Sequence, residues 1–423
     1  MSLMKSSKLN KSSNFYDVLK ERGFIEQSTN ESTLRRLLGG QKVSFYIGFD
    51  PTASSFHVGG LVPIMAMAHG QRQGHRPIFV IGGGTGLVGD PSGKDKARPL
   101  LSHSQIRKNA ECLKKQVAPL IDFSNNRGVF VNNADWLTKL NYIEFLRDFG
   151  VHFSVNRMLT AESIKNRLKT GLSFLEFNYQ LFQAYDFWRL FKNYHCLIQM
   201  GGSDQWGNIV AGIELIRRLE NKEAYGITFP LIKTANGKKM GKTERGAIWL
   251  DPKKTSPYGY YQFWINTDDK DVIKFLYLFT FLPVEEIKKY ARLKGSGMRK
   301  AKEILAFEAT KIIHGEEAAE KARHTSYSLF GKDKGQRKRA NLIPTTLLRK
   351  EELKKGILIS KLFVITKLSK SISEAHRLIT QGGGYLDEKR LSDPNLLIKT
   401  DNFKGGEITL RAGKKIYRRI KVK

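Results

Sequence analysis

The chain has 423 residues, 40% of them apolar and 11% aromatic, enough to bury the cores of about two to three domains at roughly 150 residues each, which excludes global disorder, collagen-like repeats and low-complexity classes. No run reaches the roughly 18 uninterrupted apolar residues that span a bilayer, and two cysteines, Cys112 and Cys196, cannot staple a disulfide scaffold, so a reducing compartment is expected. Seventy-two Lys and Arg against 40 Asp and Glu leave a net charge of +32, a surface that attracts polyanions, nucleic acid first among them.

Residues 1–13 are rich in Lys and Ser but lack the apolar stretch of a secretory signal; a short organellar transit peptide is the alternative reading. Residues 16–24 predict a short apolar helix. From Val43 the pattern turns to strand, glycine turn and helix: a strand over 43–49, a helix over 59–73, a buried strand over 77–82 and a helix over 104–117. A strand follows at 129–132. Helices are predicted over 142–149 and 161–168, and a long amphipathic helix or helix pair over 173–194. A strand at 196–200 then runs through a glycine turn into a helix at 208–219. Strands alternating with helices argue for an α/β fold with a parallel sheet.

Past Asp251 the texture is helical, with periodic stretches at 256–281, 284–293 and 299–322, which reads as a separate helical domain. Residues 331–342 are a Lys-, Arg- and Gly-rich linker. The tail is a small basic α+β unit, with helices expected at 346–354 and 371–381 and short strands after 382–384. Residues 331–423 carry 24 Lys and Arg against 9 Asp and Glu, which concentrates the attraction for phosphates near the C-terminus.

Five stretches carry candidate chemistry. Residues 57–60 (HVGG) deliver His57 to a helix start, where free N–H groups and a positive dipole suit an anion. The loop 82–98 holds six glycines, with Asp90, Lys94 and Arg98. Lys94 and Arg98 suit phosphates, while Asp90 suits a substrate cation such as an amino group. Tyr179, Gln183 and Asp186 are spaced to share one face of an aromatic-rich helix. Buried polar groups there require partners, and a ligand hydroxyl or amine supplies them. Residues 201–207 (GGSDQWG) place Asp204 after a glycine turn, where it can accept from ribose hydroxyls. Residues 238–243 (KKMGKT) set three lysines around Gly241 and can wrap a triphosphate. Each stretch also has a plain reading as a capped turn, a wet helix face or a solvated basic loop.

Taken together, in this order, these stretches resemble one family. Residues 57–60 and 239–243 look like the two signature motifs of class I aminoacyl-tRNA synthetases. Residues 46–53 (YIGFDPTA), 82–94, 174–186 and 201–208 resemble tyrosyl-tRNA synthetases of the bacterial and organellar type, over about residues 14–315. The tail from Lys361, with residues 373–383 (SEAHRLITQGG), is similar to an S4 RNA-binding domain. The resemblance implies a Rossmann-type catalytic domain over 1–250, an α-helical domain over 251–330, a linker over 331–345 and an S4-like domain over 346–423.

The implied activity is formation of tyrosyl-adenylate from tyrosine and ATP, followed by transfer of tyrosine to the 3′ end of tRNA(Tyr). By match, Tyr46 and Asp186 hold the phenol hydroxyl. Asp90, Tyr179 and Gln183 hold the α-ammonium group, and Gln205 lies near the carboxylate. Gly48, Asp50, Thr52, Gly59, Gly60, Gly202 and Asp204 line the nucleotide pocket. His57, Lys94, Arg98, Lys239, Lys242 and Thr243 surround the phosphates. The resemblance also implies Mg²⁺ carried by the ATP, no prosthetic group and no metal cage of the protein's own. It implies a homodimer touching through 141–174, no membrane, and a cytoplasmic place with an organelle matrix as the alternative. One position departs from the family: Gly60 stands where a second His is usual. The weighed rivals are a tryptophanyl enzyme, a small-molecule nucleotidylyltransferase and a non-catalytic RNA-binding relative.

Overall fold

The computed structural model describes residues 14–92, 101–160, 162–237, 240–243, 246–330, 344–354, 356–413 and 416–422. These residues fall into two compact units, the first within Met1–Thr243, Ala247–Lys254 and Thr267–Leu305, the second within Glu244–Gly246, Thr255–Asn266 and Ala306–Lys423.

The first unit is built on six strands: β1 (Gln27–Ser28), β2 (Ser44–Phe49), β3 (Arg76–Ile81), β4 (Val129–Asn132), β5 (Cys196–Gly202) and β6 (Tyr225–Phe229). Their order is β1-β6-β5-β2-β3-β4, parallel throughout except for the antiparallel edge strand β1. The central strands are buried on both faces: Phe45, Tyr46 and Ile47 of β2 and Ile78, Phe79, Val80 and Ile81 of β3 are 0–2% exposed. That is why they read as near-continuous apolar runs rather than alternating ones. From β2 the chain winds outward to β3 and β4, then returns to the other side for β5 and β6. The reversal leaves a crevice beyond the C-terminal ends of β2 and β5, where open α/β sheets take their ligands.

Helices cover both faces. Leu61–Arg72 follows β2, and it is buried nearly all round. Tyr179–Tyr194 and Trp206–Glu220 flank β5 and pack against each other. The first of these ends on His195, held at φ 52, ψ 41, a left-handed cap that turns the chain straight into β5. Before it, Ser173 and Glu176 form a capping box for the short helix Phe174–Phe177. Arg167 grips Glu176 with two hydrogen bonds of 2.9 and 3.0 Å, and their side chains are only 3% and 7% exposed. This buried clamp fixes a turn whose Phe174 and Leu175 are 68% and 42% exposed.

The predicted elements differ from the observed ones in several places. A second helix, Glu31–Gly40, follows the first, capped by Asn30. Strand β6 was not anticipated; its five residues are all buried, so it has no alternation to show. The stretch 256–281 is broken into Pro257–Ile265 and Asp269–Phe279, because the Asp268 side chain accepts from the N–H of Lys270 and starts a new helix. The stretch 299–322 is likewise divided, into Met298–His314 and Glu316–Phe330, at Gly315 with φ +85.

In the second unit a five-stranded sheet runs in the order Lys389–Arg390, Gly384–Leu386, Glu407–Ala412, Ile416–Val422, Thr345–Leu348. Residues 346–348, expected in a helix, instead pair in parallel with Ile416–Val422, and the helix there is only Lys350–Lys354. An unpredicted helix, Ile359–Ile365, packs with Ile372–Thr380. Leu362, Phe363, Ile379, Ile408, Leu410 and Ile420 form the centre of that core.

Candidate active site

A cavity of about 350 Å³ opens at the C-terminal ends of β2, β3 and β5, beside the helix Tyr179–Tyr194. Its size suits a small ligand with several polar groups. Tyr46, Gly48, Asp50, Gly60, Asp90, Tyr179, Gln183, Asp186, Gly202, Asp204 and Gln205 all line it. The fold therefore gathers eleven sequence-predicted residues from five chain segments at one place.

Asp186 is 4% exposed. Trp136 Nε1 donates to its Oδ1 at 2.6 Å, and Asn133 Nδ2 donates to its Oδ2 at 2.8 Å. Burial pushes the Asp186 carboxyl up to about 7, against the downward pull of these two donors. Tyr46, 2% exposed, is an immediate neighbour in electrostatic terms. Burial, and then the Asp186 charge, holds its phenol well above the ordinary range. The Tyr46 hydroxyl and Gln199 Oε1 are buried without a hydrogen-bond partner among the described residues. Both residues line the cavity, so a ligand hydroxyl there meets polar atoms that await one.

A second polar group lies along the cavity. Gln205 Nε2 donates to Asp90 Oδ2 at 2.8 Å, and the Ser92 N–H donates to Asp90 Oδ1 at 2.9 Å. Asn208 Nδ2 donates to Gln183 Oε1 at 3.0 Å and Gln205 Oε1 at 3.2 Å. Tyr179 donates its hydroxyl to Asp50 Oδ2 at 3.0 Å, and Thr85 donates to Asp50 Oδ1 at 2.8 Å. This end carries carboxylates and amide oxygens, the acceptors that an ammonium group needs.

The loop with His57 is made differently. His57 caps the turn Val58–Gly60, its Nδ1 accepting the Gly59 N–H at 3.0 Å. An accepting Nδ1 leaves the donor on Nε2 in the neutral ring. The backbone of Phe56–Val58 pairs with Ile248–Leu250: the Val58 N–H donates to the Ile248 carbonyl and the Leu250 N–H to the Phe56 carbonyl, each at 2.9 Å. Trp249 sets the edge of the His57 ring at a centroid distance of 6.2 Å. A Cβ on Gly59 would stand 2.8 Å from the Met240 carbonyl oxygen, and one on Gly241, where φ is +80, would stand 2.8 Å from the Gly59 nitrogen. The two glycine-bearing motifs thus meet backbone to backbone, and each needs its glycine for the other's sake. Gly60 is under no such demand: its Cβ would meet only the Phe56 ring, at 3.3 Å.

Not every expected residue joins the cavity. Thr52 is exposed and does not line it, and His57 and Gly59 stand in the adjoining loop. Lys94, Arg98 and Lys239 lie outside the described residues, and of Lys242 and Thr243 only the backbone is described, as a short strand. Sequence reasoning missed Thr85, Asn133, Trp136, Gln199 and Asn208. The Asn132–Asn133 pair at the end of β4 was the available signal, since two amides at a strand's C-terminal edge suit a ligand crevice better than a core.

The sequence model of the family described as tRNA synthetases class I (W and Y) matches residues 39–331. The chain is 54% identical over 410 residues to the tyrosine–tRNA ligase of Clostridium botulinum, covering 97% of this chain and 100% of the relative. It is 53% identical to that of Acetivibrio thermocellus, again covering 97% of this chain and 100% of the relative. Among solved structures, a C-terminally truncated mitochondrial tyrosyl-tRNA synthetase of Aspergillus nidulans is similar at 34% identity and a TM-score of 0.69, over 76% of this chain and 95% of that one.

Proposed function

This chain belongs to the tyrosine–tRNA ligase family of the class I tRNA synthetases, which activates tyrosine with ATP and transfers it to tRNA(Tyr), and we propose the following division of labour in its site. The phenol hydroxyl of tyrosine donates to Asp186 and accepts from Tyr46. Asp90, Tyr179 and Gln183 receive the α-ammonium group. Gln205 lies by the carboxylate. Gly48, Asp50, Thr52, Gly59, Gly60, Gly202 and Asp204 take the nucleotide, with Asp204 on the ribose. His57, Lys94, Arg98, Lys239, Lys242 and Thr243 surround the phosphates of an ATP that brings its own Mg²⁺, and no prosthetic group takes part.

The observation that carries this reading is the buried pair in the cavity, Asp186 with its two N–H donors and Tyr46 with no partner for its hydroxyl among the described residues. The carboxylate of tyrosine is already a nucleophile. It attacks the α-phosphorus, the bond to the β-phosphate oxygen breaks, and pyrophosphate leaves. No general base is required; the protein's share is positioning and stabilising the charge that gathers on phosphate oxygens. The His57 Nε2–H and the cationic side chains supply that stabilisation.

The remaining partners follow the same reading. The basic stretch 331–423, with its S4-like domain over 346–423, holds tRNA phosphates. A homodimer forms through 141–174, supported by Tyr142, Ile143, Val151, Val155 and Phe174, all more than half exposed. The setting is the cytoplasm; no helix of the described residues is long and apolar enough to cross a membrane. The deciding experiment is pyrophosphate exchange with single amino acids. Exchange that depends on tyrosine is expected; equal exchange with phenylalanine or tryptophan overturns the assignment.

A further inference from the structure

Between the two polar groups of the cavity runs a chain of hydrogen bonds, buried at Asn133 and part-buried at Asp50. Asn133 spends one N–H on Asp186 Oδ2 at 2.8 Å and the other on Thr85 Oγ1 at 3.0 Å. Its carbonyl oxygen accepts the Gly84 N–H at 2.8 Å, which fixes the orientation of the amide. Thr85 therefore accepts from Asn133, and its single proton goes to Asp50 Oδ1 at 2.8 Å. Asp50 completes the run by accepting from Tyr179. Asn133 is 1% and Thr85 3% exposed, so water does not compete for the bond between them, while the two bonds to Asp50 are part-buried.

A separate observation concerns the glycines. A Cβ on Gly82 would collide with both Asp50 Oδ1 and Thr85 Oγ1, and one on Gly83 would collide with the Asn132 amide. The glycine run after β3 is shaped to let these side chains approach one another. Gly82 thus leaves the room in which the Thr85–Asp50 bond is made.

We propose that Thr85 is a positioning residue, the joint of a relay by which a hydroxyl engaged at Asp186 sets the Asp50 carboxylate at the nucleotide end, so that tyrosine and ATP bind cooperatively. The proposal rests on the reading of Asp186 and Asp50 given above. Any pull of the substrate hydroxyl on Asp186 changes its hold on Asn133. Asn133 can shift only by moving Thr85, because its carbonyl is tied to the backbone. Thr85 in turn has one acceptor for its proton.

The test uses the full chain, tyrosinol, which lacks the reacting carboxylate, and a non-hydrolysable ATP analogue. The analogue is titrated with and without saturating tyrosinol. In the unaltered protein tyrosinol is expected to tighten the analogue by about tenfold, within the usual range of site coupling. Thr85→Val keeps the volume and removes the hydroxyl, and it should reduce that factor to less than about twofold, while Thr85→Ser should retain it. If Thr85→Val does not fold, Thr85→Cys, a weaker donor of similar size, takes its place with the same expectation. Absence of coupling in the unaltered chain, or full coupling in Thr85→Val or Thr85→Cys, overturns the relay. Direct binding of tyrosinol to Asp186→Ala separates the two levels. Undiminished binding there removes the assignment of Asp186 and the relay with it. Lost binding there, together with full coupling in Thr85→Val, removes the relay alone.

Discussion

Around Asp186 the contacts run from side chain to side chain, with Asn133 and Trp136 donating to its carboxyl and the Tyr46 hydroxyl left without a partner among the described residues; around His57 they run largely from backbone to backbone, and a Cβ on Gly59 would stand 2.8 Å from the Met240 carbonyl oxygen. The first construction suits recognition, because a ligand that lacks the right group leaves buried polar atoms unpaired. The second holds a loop in place by its backbone: the Val58 N–H donates to the Ile248 carbonyl, the Gly59 N–H to His57 Nδ1 and the Gly60 N–H to the His57 carbonyl, which fixes where the imidazole stands. On the proposed division of labour, selectivity lies with the Asp186 end of the cavity and rate with the adjoining His57 loop, and substitutions at the two should fail in different ways.

The largest separation is expected in substrate choice. Tyrosine should exceed phenylalanine in kcat/KM for pyrophosphate exchange by roughly 10⁴–10⁵, as in sites built around a substrate hydroxyl. Asp186→Ala should bring the ratio down by several powers of ten; a ratio that stays high in that variant would break the division. At the other end, His57→Ala should lower kcat for adenylate formation by about 10²–10³ and leave the KM for tyrosine unchanged, the mark of a contact made in the transition state. Rapid-quench measurement of the first turnover checks it.

The glycines sharpen the contrast. Gly59→Ala places a methyl against the Met240 carbonyl, and should cost roughly 10–10² in rate by displacing the paired loops. Gly60→Ala meets only the Phe56 ring and should stay within about twofold. Equal losses at 59 and 60 would mean that the departure at Gly60 is itself part of the catalytic arrangement.

The last expected effect appears in stability rather than activity. The folded Asp186 carboxyl titrates near 7, above its ordinary value of 3.8. Its stabilising contribution is thus complete below about pH 4, declines as pH rises through 7, and is constant beyond. The melting temperature of the unliganded protein should therefore fall relative to Asp186→Asn between those limits, by an amount on the order of 4 kcal/mol in stability. A flat difference from pH 4 to 8 would show that the carboxyl is ionised throughout.

The sequence carried the parallel sheet because its strands and helices alternate, and it carried the polar face of Tyr179–Tyr194 because helical spacing is a local property. It did not carry the partners of Asp186. Asn133 directly follows β4 and Trp136 lies in the short helix Ala134–Leu137 after it, 53 and 50 residues away, and no period links them to Tyr179–Tyr194. The glycine loop was legible as a loop but not as to purpose: a glycine that admits a phosphate and one that admits the Asp50 carboxylate look alike in sequence. The edges of elements were lost where burial is complete, as in β6, or where a cap such as Asp268 interrupts an otherwise periodic stretch.

The clamp between Arg167 and Glu176 has a consequence for assembly. Phe174 and Leu175 project from a turn whose backbone is already frozen by that ion pair and the Ser173 cap. Immobilising a free side chain or loop during association costs roughly 0.5–1.5 kcal/mol each. Here much of that ordering is complete in the single chain, so a surface laid over these two residues meets them in the shape they already hold. In the homodimer proposed through 141–174, association at this turn would proceed as rigid docking, with a rate set by diffusion and orientation rather than by a folding step.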